Sequence, residues 1–185
     1  MTDKELIEEV EVDTVTEAKK KNTFIEYLKE FSLCAVVAVV FSLILNSMFM
    51  VNQVVGDSMY PTFVHGEKIL STKFNLNDIK HGDIIMIHSE VLNEDIIKRV
   101  VALPGDKISY VNNVLTVNDE VVNEDYLNTE EELDAFVEVS DLVLQEDQYF
   151  VLGDNRNHSS DSRTLGVIKK SEIFGLYSMD LFGGK

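Results

Sequence analysis

Ser58 and Lys98 are the residues whose surroundings in the sequence suggest covalent chemistry. Ser58 lies in the stretch Gly-Asp-Ser-Met-Tyr-Pro-Thr, and Lys98 interrupts the apolar stretch Ile-Ile-Lys-Arg-Val-Val-Ala-Leu. Side chains alternate between the two faces of a strand, so Lys98 and Arg99 point in opposite directions and one of them faces apolar neighbours. Because desolvation disfavours the ammonium form and lowers a lysine pKa, a buried Lys98 could take the proton of a serine near neutral pH. Arginine stays charged and cannot do this.

The sequence leaves two other interpretations open. The strand pattern alone favours a lysine whose stem is buried and whose ammonium group reaches water. A histidine could also serve as the base, and His158 with Asp161 would complete a Ser-His-Asp triad. Both residues lie in the polar stretch 153–163. Such a stretch is usually a solvated turn, but it could also supply the side chains that orient a buried lysine.

Composition excludes several classes of function. The net charge is −17, which argues against a nucleic-acid partner. The single cysteine, Cys34, lies within a long apolar run, where burial raises a thiol pKa. We therefore expect neither thiol catalysis nor a cysteine-based zinc site, and no disulfide within the chain.

A charge-free run from Phe31 to Gly56 precedes Ser58. It exceeds the roughly 20 apolar residues that cross the hydrocarbon layer as a helix, and its few polar residues form no polar stripe. The sequence predicts a cytoplasmic tail at 1–30 and a transmembrane anchor at 31–55. Lysines flank the run only on its N-terminal side, which places the N-terminus in the cytoplasm and the larger domain outside. No small-residue cleavage site follows the run, so we expect the anchor to be retained.

The remaining residues, 56–185, alternate short apolar runs with turn signals, which indicates a compact, largely antiparallel β domain. The predicted strands are 83–88, 96–103, 107–111, 114–117, 120–122, 148–152 and 172–179. The segment 123–147 contains ten acidic residues and no lysine or arginine. We interpret this segment as a peripheral insertion that is partly helical, and we assign it no chemistry.

Four stretches in order resemble bacterial type I signal peptidases, the membrane-anchored Ser-Lys endopeptidases. They are Ser-Met-Tyr-Pro-Thr from Ser58, His-Gly-Asp-Ile-Ile from His81, Ile-Lys-Arg-Val-Val-Ala-Leu-Pro-Gly-Asp from Ile97, and the loop 153–163. The resemblance implies Ser58 as nucleophile and Lys98 as general base. It also implies supporting and substrate-binding roles for further residues. Ser159 would orient the Lys98 amine, Asp161 and Arg163 would form a supporting ion pair, and the apolar sub-sites would be formed by Val54, Val55, Met59, Phe63, Ile96 and Ile97.

The resemblance further implies that preproteins are cut after small residues at positions −1 and −3, without a cofactor or metal. The preprotein would lie extended between the strands that begin near Asp83 and Ile96. Its partners would be signal-peptide-bearing preproteins and the lipid bilayer. Some relatives carry a hydroxyl residue two places before the nucleophile, where this chain has Gly56. Two alternatives remain, a soluble-type self-cleaving Ser-Lys regulator and a narrow-substrate or catalytically silent membrane-anchored binding module.

Overall fold

The computed structural model of the chain describes residues 3–127, 133–134 and 137–181, with the side chains of Phe24 and of residues from 26 onward within those ranges. The chain divides into two compact units, Met1–Asn46 and Ser47–Lys185.

The first unit is a helix, α1, which runs from Asp3 to Met48 and so ends just inside the second unit. The part of α1 from Glu26 to Met48 has a mean hydropathy of 2.2. This part of the helix is long and apolar enough to cross a membrane. The predicted anchor extended to residue 55, but the helix ends at Met48 and Phe49–Gln53 form a strand. The sequence hid this boundary because the strand is also free of charge. The predicted tail contains helical backbone from Asp3 onward.

Over its described residues, the second unit is built mainly on two antiparallel sheets, in line with the predicted β domain. The larger sheet has seven strands in the order β1-β2-β11-β3-β4-β9-β10, and the smaller has four in the order β7-β6-β5-β8. The strands are β1 Phe49–Gln53, β2 Lys68–Thr72, β3 Ile84–Ser89, β4 Glu94–Ala102, β5 Lys107–Val111, β6 Val114–Val117, β7 Glu120–Val121, β8 Val139–Val143, β9 Gln148–Leu152, β10 Ile168–Lys169 and β11 Ile173–Asp180.

The pattern of alternation located seven of these strands and missed β1, β2, β8 and β10. Strand β8 corrects the interpretation of residues 123–147 as an insertion outside the fold. It pairs with β5 along Lys107↔Val143 and Tyr110↔Val139 and so completes the smaller sheet. The described part of this segment contains no helix.

Strand β4 is the element on which the site depends. It pairs with β3 from Glu94 to Arg99, and with β9 only from Arg99 onward. Three apolar clusters pack around the sheets, and the third contains Val54, Met59 and Phe63, which flank Ser58 in the sequence. This cluster anchors the segment that carries Ser58.

Candidate active site

Ser58 and Lys98 are in direct contact. The Lys98 Nζ donates a hydrogen bond of 2.8 Å to the Ser58 Oγ and a second one of 3.0 Å to the carbonyl of Ile97. Ser58 follows β1, and Lys98 lies in the middle of β4. The neighbours of Ser58, Val54 and Met59, are buried in the core, so the backbone on both sides of the serine is fixed by packing.

Lys98 is a buried lysine rather than one that reaches water. Only 3% of its surface is exposed. Burial lowers its pKa to about 8, against the opposing influence of the acidic side chains of Asp161, Glu94 and Asp154. An appreciable fraction of the amine is therefore neutral near neutral pH, which a general base requires. The snorkelling interpretation does not describe this lysine.

The loop 153–163, which we call the catalytic loop, is held by the ion pair of Asp161 and Arg163. The Arg163 Nε and Nη2 donate to the two carboxylate oxygens of Asp161 at 2.8 and 2.9 Å, and both residues are almost fully buried. Asp161 also caps helix α2, Ser162–Leu165, and accepts a 3.0 Å hydrogen bond from the backbone N–H of Gly153. A buried charge needs such partners, and here the partners fix the loop.

Gly153 brings this loop against the nucleophile. The Asn155 backbone N–H donates to the Ser58 carbonyl at 3.0 Å, and the Asn155 Nδ2 donates to the Asp57 carbonyl at 3.1 Å. A Cβ on Gly153 would lie 2.5 Å from the Ser58 carbonyl oxygen and would also collide with the Ser159 side chain. Only glycine allows this close approach of two backbones.

Ser159 does not make the expected hydrogen bond to Lys98. Its Oγ is buried and has no hydrogen-bond partner among the described residues. The Ser159 side chain and the Ser58 carbonyl oxygen both lie in the space that a Cβ on Gly153 would occupy. The structure thus places Ser159 beside the backbone of the nucleophile, while the orienting contact on the Lys98 amine comes from the Ile97 carbonyl.

Arg99 and Asp154 belong to the site, although sequence reasoning assigned them no role. The Arg99 Nε and Nη2 donate to the two oxygens of the buried Asp154 carboxylate at 2.8 and 2.6 Å. Thr62, four residues after Ser58, donates its hydroxyl proton to Asp154 as well. This pair joins β4, the catalytic loop and the Ser58 segment. The sequence contained a signal for this pair. Alternation along β4 turns Arg99 away from Lys98, and a partly buried arginine needs a carboxylate as its partner.

A groove of about 460 Å³ runs past Ser58 and Lys98. Five of the six predicted substrate-binding residues line it, namely Val54, Val55, Met59, Ile96 and Ile97. Phe63 does not. It is 2% exposed and packs edge-on against Tyr177 in the core, with ring centroids 5.1 Å apart. Phe63 therefore supports the groove through Val54 and Met59 in their shared cluster.

The N-terminal half of β4 presents an unpaired edge to the groove. Val100 exchanges two backbone hydrogen bonds of 2.8 Å with the residues before β3. Because peptide groups alternate along a strand, those of Arg99, Ile97 and Asp95 face the other way. Arg99 meets β9 at Leu152, where the pairing with β9 stops. Among the described residues, no strand pairs with Ile97 or Asp95 on that side.

The opposite wall presents a second unpaired edge. Val54 donates to the Glu67 carbonyl at 2.8 Å and accepts from Gly66 at 2.9 Å, so its peptide groups face away from the groove. The Gly56 N–H is held at 3.0 Å by the His65 Nδ1 on the same side. By alternation, the peptide groups of Val55 face the groove.

The histidine alternative finds no support in the geometry. His158 lies on the wall of the groove, but no hydrogen bond connects its ring to Ser58 or Asp161 in the described part of the chain. The Asp161 carboxylate is already occupied by Arg163 and Gly153. Within the described residues, no group of three or more His, Cys, Asp or Glu side chains could hold a metal ion.

A serine hydroxyl bonded to a buried lysine, beside a groove with strand edges on both walls, suits a serine hydrolase that acts on peptides. The chain matches the family model for signal peptidase, peptidase S26, over residues 25–182. It is 31% identical over 175 residues to signal peptidase I P of Bacillus subtilis subsp. natto, covering 90% of this chain and 93% of the relative. It is 35% identical over 166 residues to signal peptidase I of Bacillus amyloliquefaciens, covering 84% of this chain and 86% of the relative.

The crystal structure of a signal peptidase I from Enterococcus faecalis V583 is also similar, with 29% identity and a TM-score of 0.47 over 54% of this chain and 97% of that one. On the evidence of the family model and the Bacillus relatives, the chain belongs to the signal peptidase family, peptidase S26. It is a serine peptidase of the type that removes signal peptides, as its resemblance implied. Its apolar N-terminal helix fits a single-pass membrane anchor.

Proposed function

We propose that Ser58 is the nucleophile and Lys98 the general base of signal-peptide cleavage. The observation that carries this proposal is the 2.8 Å hydrogen bond between the Lys98 Nζ and the Ser58 Oγ. A base must lie within hydrogen-bond reach of the proton it removes and must be unprotonated. The pKa of about 8 that burial gives Lys98 meets the second condition.

The reaction proceeds in two steps. Neutral Lys98 takes the Ser58 proton as the Oγ attacks the carbonyl carbon of the −1 residue, and the resulting ammonium then gives that proton to the departing amine of the mature protein. The signal peptide remains as an ester on Ser58. Lys98, again neutral, takes a proton from water as the water attacks the ester, and returns it to the Ser58 oxygen. Each cycle consumes one water, breaks one peptide bond and leaves the enzyme unchanged, without a cofactor or a metal.

Ser159, Asp161 and Arg163 are proposed to support this reaction from the catalytic loop. Asp161 and Arg163 fix the loop through their buried ion pair. Asp161 also influences Lys98 electrostatically, since it is the strongest of the acidic neighbours that raise the pKa of the lysine. Ser159 would contribute a hydroxyl close to the nucleophile. Gly56 offers no side chain to the oxyanion and its N–H is engaged by His65, which leaves the Ser58 N–H as the donor we assign.

The substrate is proposed to add a strand between the two unpaired edges of the groove. The sequence-based expectation placed it between the strands near Asp83 and Ile96, but that is wrong, because β3 and β4 are direct neighbours with continuous pairing. Val55 on one side and Ile97 and Asp95 on the other offer the peptide groups that an extended chain requires. The apolar side chains lining the groove suit small residues at −1 and −3.

The membrane arrangement is likewise a proposal. Residues 1–30 would lie in the cytoplasm, an anchor would span the bilayer, and the domain from residue 56 onward would lie on the outer face. The lysines that precede the apolar run, and the absence of lysine and arginine after it as far as Lys68, support this orientation. Sharing the bilayer with preproteins raises their effective concentration at the enzyme. The net charge of −17 supports a function without nucleic acid.

The decisive experiment is cleavage of a preprotein with an Ala-x-Ala site by the full chain in detergent or vesicles. Ser58→Ala and Lys98→Ala should each lower kcat by about 10²- to 10⁴-fold or more, while His158→Ala should cleave at nearly the wild-type rate. Activity that survives Lys98→Ala but is abolished by His158→Ala would establish the triad instead. A folded wild-type enzyme that cleaves no such preprotein would support the narrow-substrate or binding role.

A further inference from the structure

Arg156 is the most deeply buried cation in the catalytic loop. Its side chain is fully enclosed, and its charge is balanced by Glu124, whose two carboxylate oxygens accept from the Arg156 Nη1 at 3.1 Å and from the Nη2. Glu124 stands at the start of the acidic segment 123–147, to which the sequence assigned no chemistry. A buried arginine that loses its carboxylate becomes an unpaired buried charge, so the position of one residue depends on the other.

The guanidinium of Arg156 fixes the glycine that touches the nucleophile. Its Nε donates to the Gly153 carbonyl at 3.1 Å, while the Gly153 N–H donates to Asp161 at 3.0 Å. Both peptide groups of Gly153 are thereby held by buried charged side chains. Gly153 has no room for a Cβ because the Ser58 carbonyl oxygen would lie 2.5 Å from it. A displacement of Gly153 is therefore transmitted directly to the backbone of Ser58.

Arg156 is also joined to the second ion pair of the loop. Its carbonyl oxygen accepts a 2.8 Å hydrogen bond from the Arg163 Nη2, and Arg163 in turn binds Asp161. The contacts form a closed ring that runs from Gly153 through Arg156 and Arg163 to Asp161 and back to Gly153. Glu124 is the member of this network that comes from outside the catalytic loop.

Tyr126 connects the same short segment to the strand that carries Lys98. Its hydroxyl donates to the Glu124 Oε1 at 2.7 Å, and its ring lies 4.1 Å from the Arg99 Cζ, a cation–π distance. Arg99 is the neighbour of Lys98 and the partner of Asp154. Residues 124–126 thus contact both the loop that holds Ser58 and the strand that carries Lys98.

We propose that Glu124, acting through Arg156 and Gly153, is a positioning residue that holds Ser58 within reach of Lys98. This inference rests on Ser58 being the nucleophile. Substitution of Glu124 is expected to leave substrate binding unaffected, because Glu124 does not line the groove. Its loss should therefore lower kcat and leave KM unchanged. Since misplacement of a reacting group by about 1 Å can cost about 10²-fold, we expect Glu124→Gln to lower kcat by about 10- to 100-fold.

The test compares Glu124→Gln with Glu120→Gln in the full chain, using the Ala-x-Ala preprotein at a temperature well below the midpoint of thermal unfolding. Glu120 is an exposed acid in β7, so its variant carries the same charge change and should keep the wild-type kcat. The expected result is a loss in kcat for Glu124→Gln alone, at unchanged KM. A kcat within twofold of wild type in a folded sample, or a loss confined to KM, would overturn the proposal.

A double variant keeps the test decisive if Glu124→Gln does not fold. Arg156→Gln combined with Glu124→Gln removes both buried charges and leaves neither unpaired. Because Gly153 still loses its Arg156 contact, kcat of the double variant should remain lowered by about tenfold or more, and where Glu124→Gln and Arg156→Gln each fold alone, their separate losses should not multiply. A double variant with wild-type kcat, or with multiplied losses, would refute the assigned route. Ser58→Ala, run in parallel, separates the outcomes, because residual activity there contradicts the nucleophile assignment whatever Glu124 does.

Discussion

Cleavage should follow the titration of Lys98, and the structure fixes the form of the pH dependence. Burial lowers the Lys98 pKa from 10.5 to about 8 in the folded enzyme. Only the neutral amine can accept the Ser58 proton, so kcat/KM should rise with pH and level off above the pKa. With a pKa of about 8, roughly a tenth of the enzyme is in the active form at pH 7 and roughly nine tenths at pH 9. We therefore expect kcat/KM to increase about tenfold between these values.

The assay is the pH profile of kcat/KM, which reports the ionisation of the free enzyme. The substrate should be a peptide spanning an Ala-x-Ala site, with no group that titrates between pH 6 and 10, and the full chain should be held in neutral detergent. His158→Ala is the matched control, because it removes a histidine on the groove wall and should leave the profile unchanged. Lys98→Arg should be inactive at every pH, since a guanidinium stays charged.

Two results would refute this reasoning. A rise in kcat/KM with pH that disappears in His158→Ala would show that a histidine is the base. A profile that is flat from pH 6 to 10 would show that the protonation state of Lys98 does not limit the reaction. Either result would contradict the base assignment even if Lys98→Ala were inactive, because such a variant could also fail through lost packing.

Three further predictions concern individual contacts around the dyad. Glu94→Gln should move the rise in kcat/KM to lower pH, because the Glu94 charge raises the Lys98 pKa. A rise at the wild-type pH would contradict this coupling. Gly153→Ala should lower kcat by about 10²-fold in a folded sample, since the new methyl group must displace the Ser58 carbonyl oxygen. A wild-type kcat would show that the catalytic loop moves to accommodate the methyl group without displacing Ser58. Lys98→Met should raise the free energy of unfolding at pH 7 by up to about 3 kcal/mol, because a lysine whose folded pKa is depressed destabilises the fold below that pKa. This gain should shrink as pH rises from about 8 to 10.5, and urea unfolding at both ends of that range measures it.

Alternation along the chain predicted most of the strands because it is a local signal, whereas Ser58 and Lys98, whose Oγ and Nζ lie 2.8 Å apart, were singled out together by the resemblance to type I signal peptidases. The strand pattern alone favoured a Lys98 whose ammonium group reaches water, and its burial was seen only once β4 was placed inside the sheet. Strand β1 left no such signal. Its residues, Phe49–Gln53, continue the charge-free run without a break, so hydropathy alone merges strand and helix into one segment. Only the pairing of β1 with β2 distinguishes them, and pairing is a long-range property.

Long-range pairing also explains the error in placing the substrate. The sequence identified β3 and β4 but not their order in the sheet, and they are adjacent. The groove exists because β9 stops pairing at Leu152 while β4 extends further, to Glu94. The edge that this leaves unpaired is completed by the chain around Val55 on the other wall. A binding cleft formed by the unequal lengths of neighbouring strands has no signature in either strand alone.

The acidic segment 123–147 likewise contains a residue whose role depends on a long-range contact, in this case an ion pair. Ten acids without a basic residue suggested a peripheral insertion to which no chemistry was assigned. Glu124 differs because its partner, Arg156, is 32 residues away in the sequence. Arg156 itself looked like one of several polar residues in a turn, yet its side chain is buried and donates to the carbonyl of Gly153. A buried arginine must be neutralised by a carboxylate from some part of the chain, so an acid-rich segment that follows the strands of the site is a reasonable place to search for it.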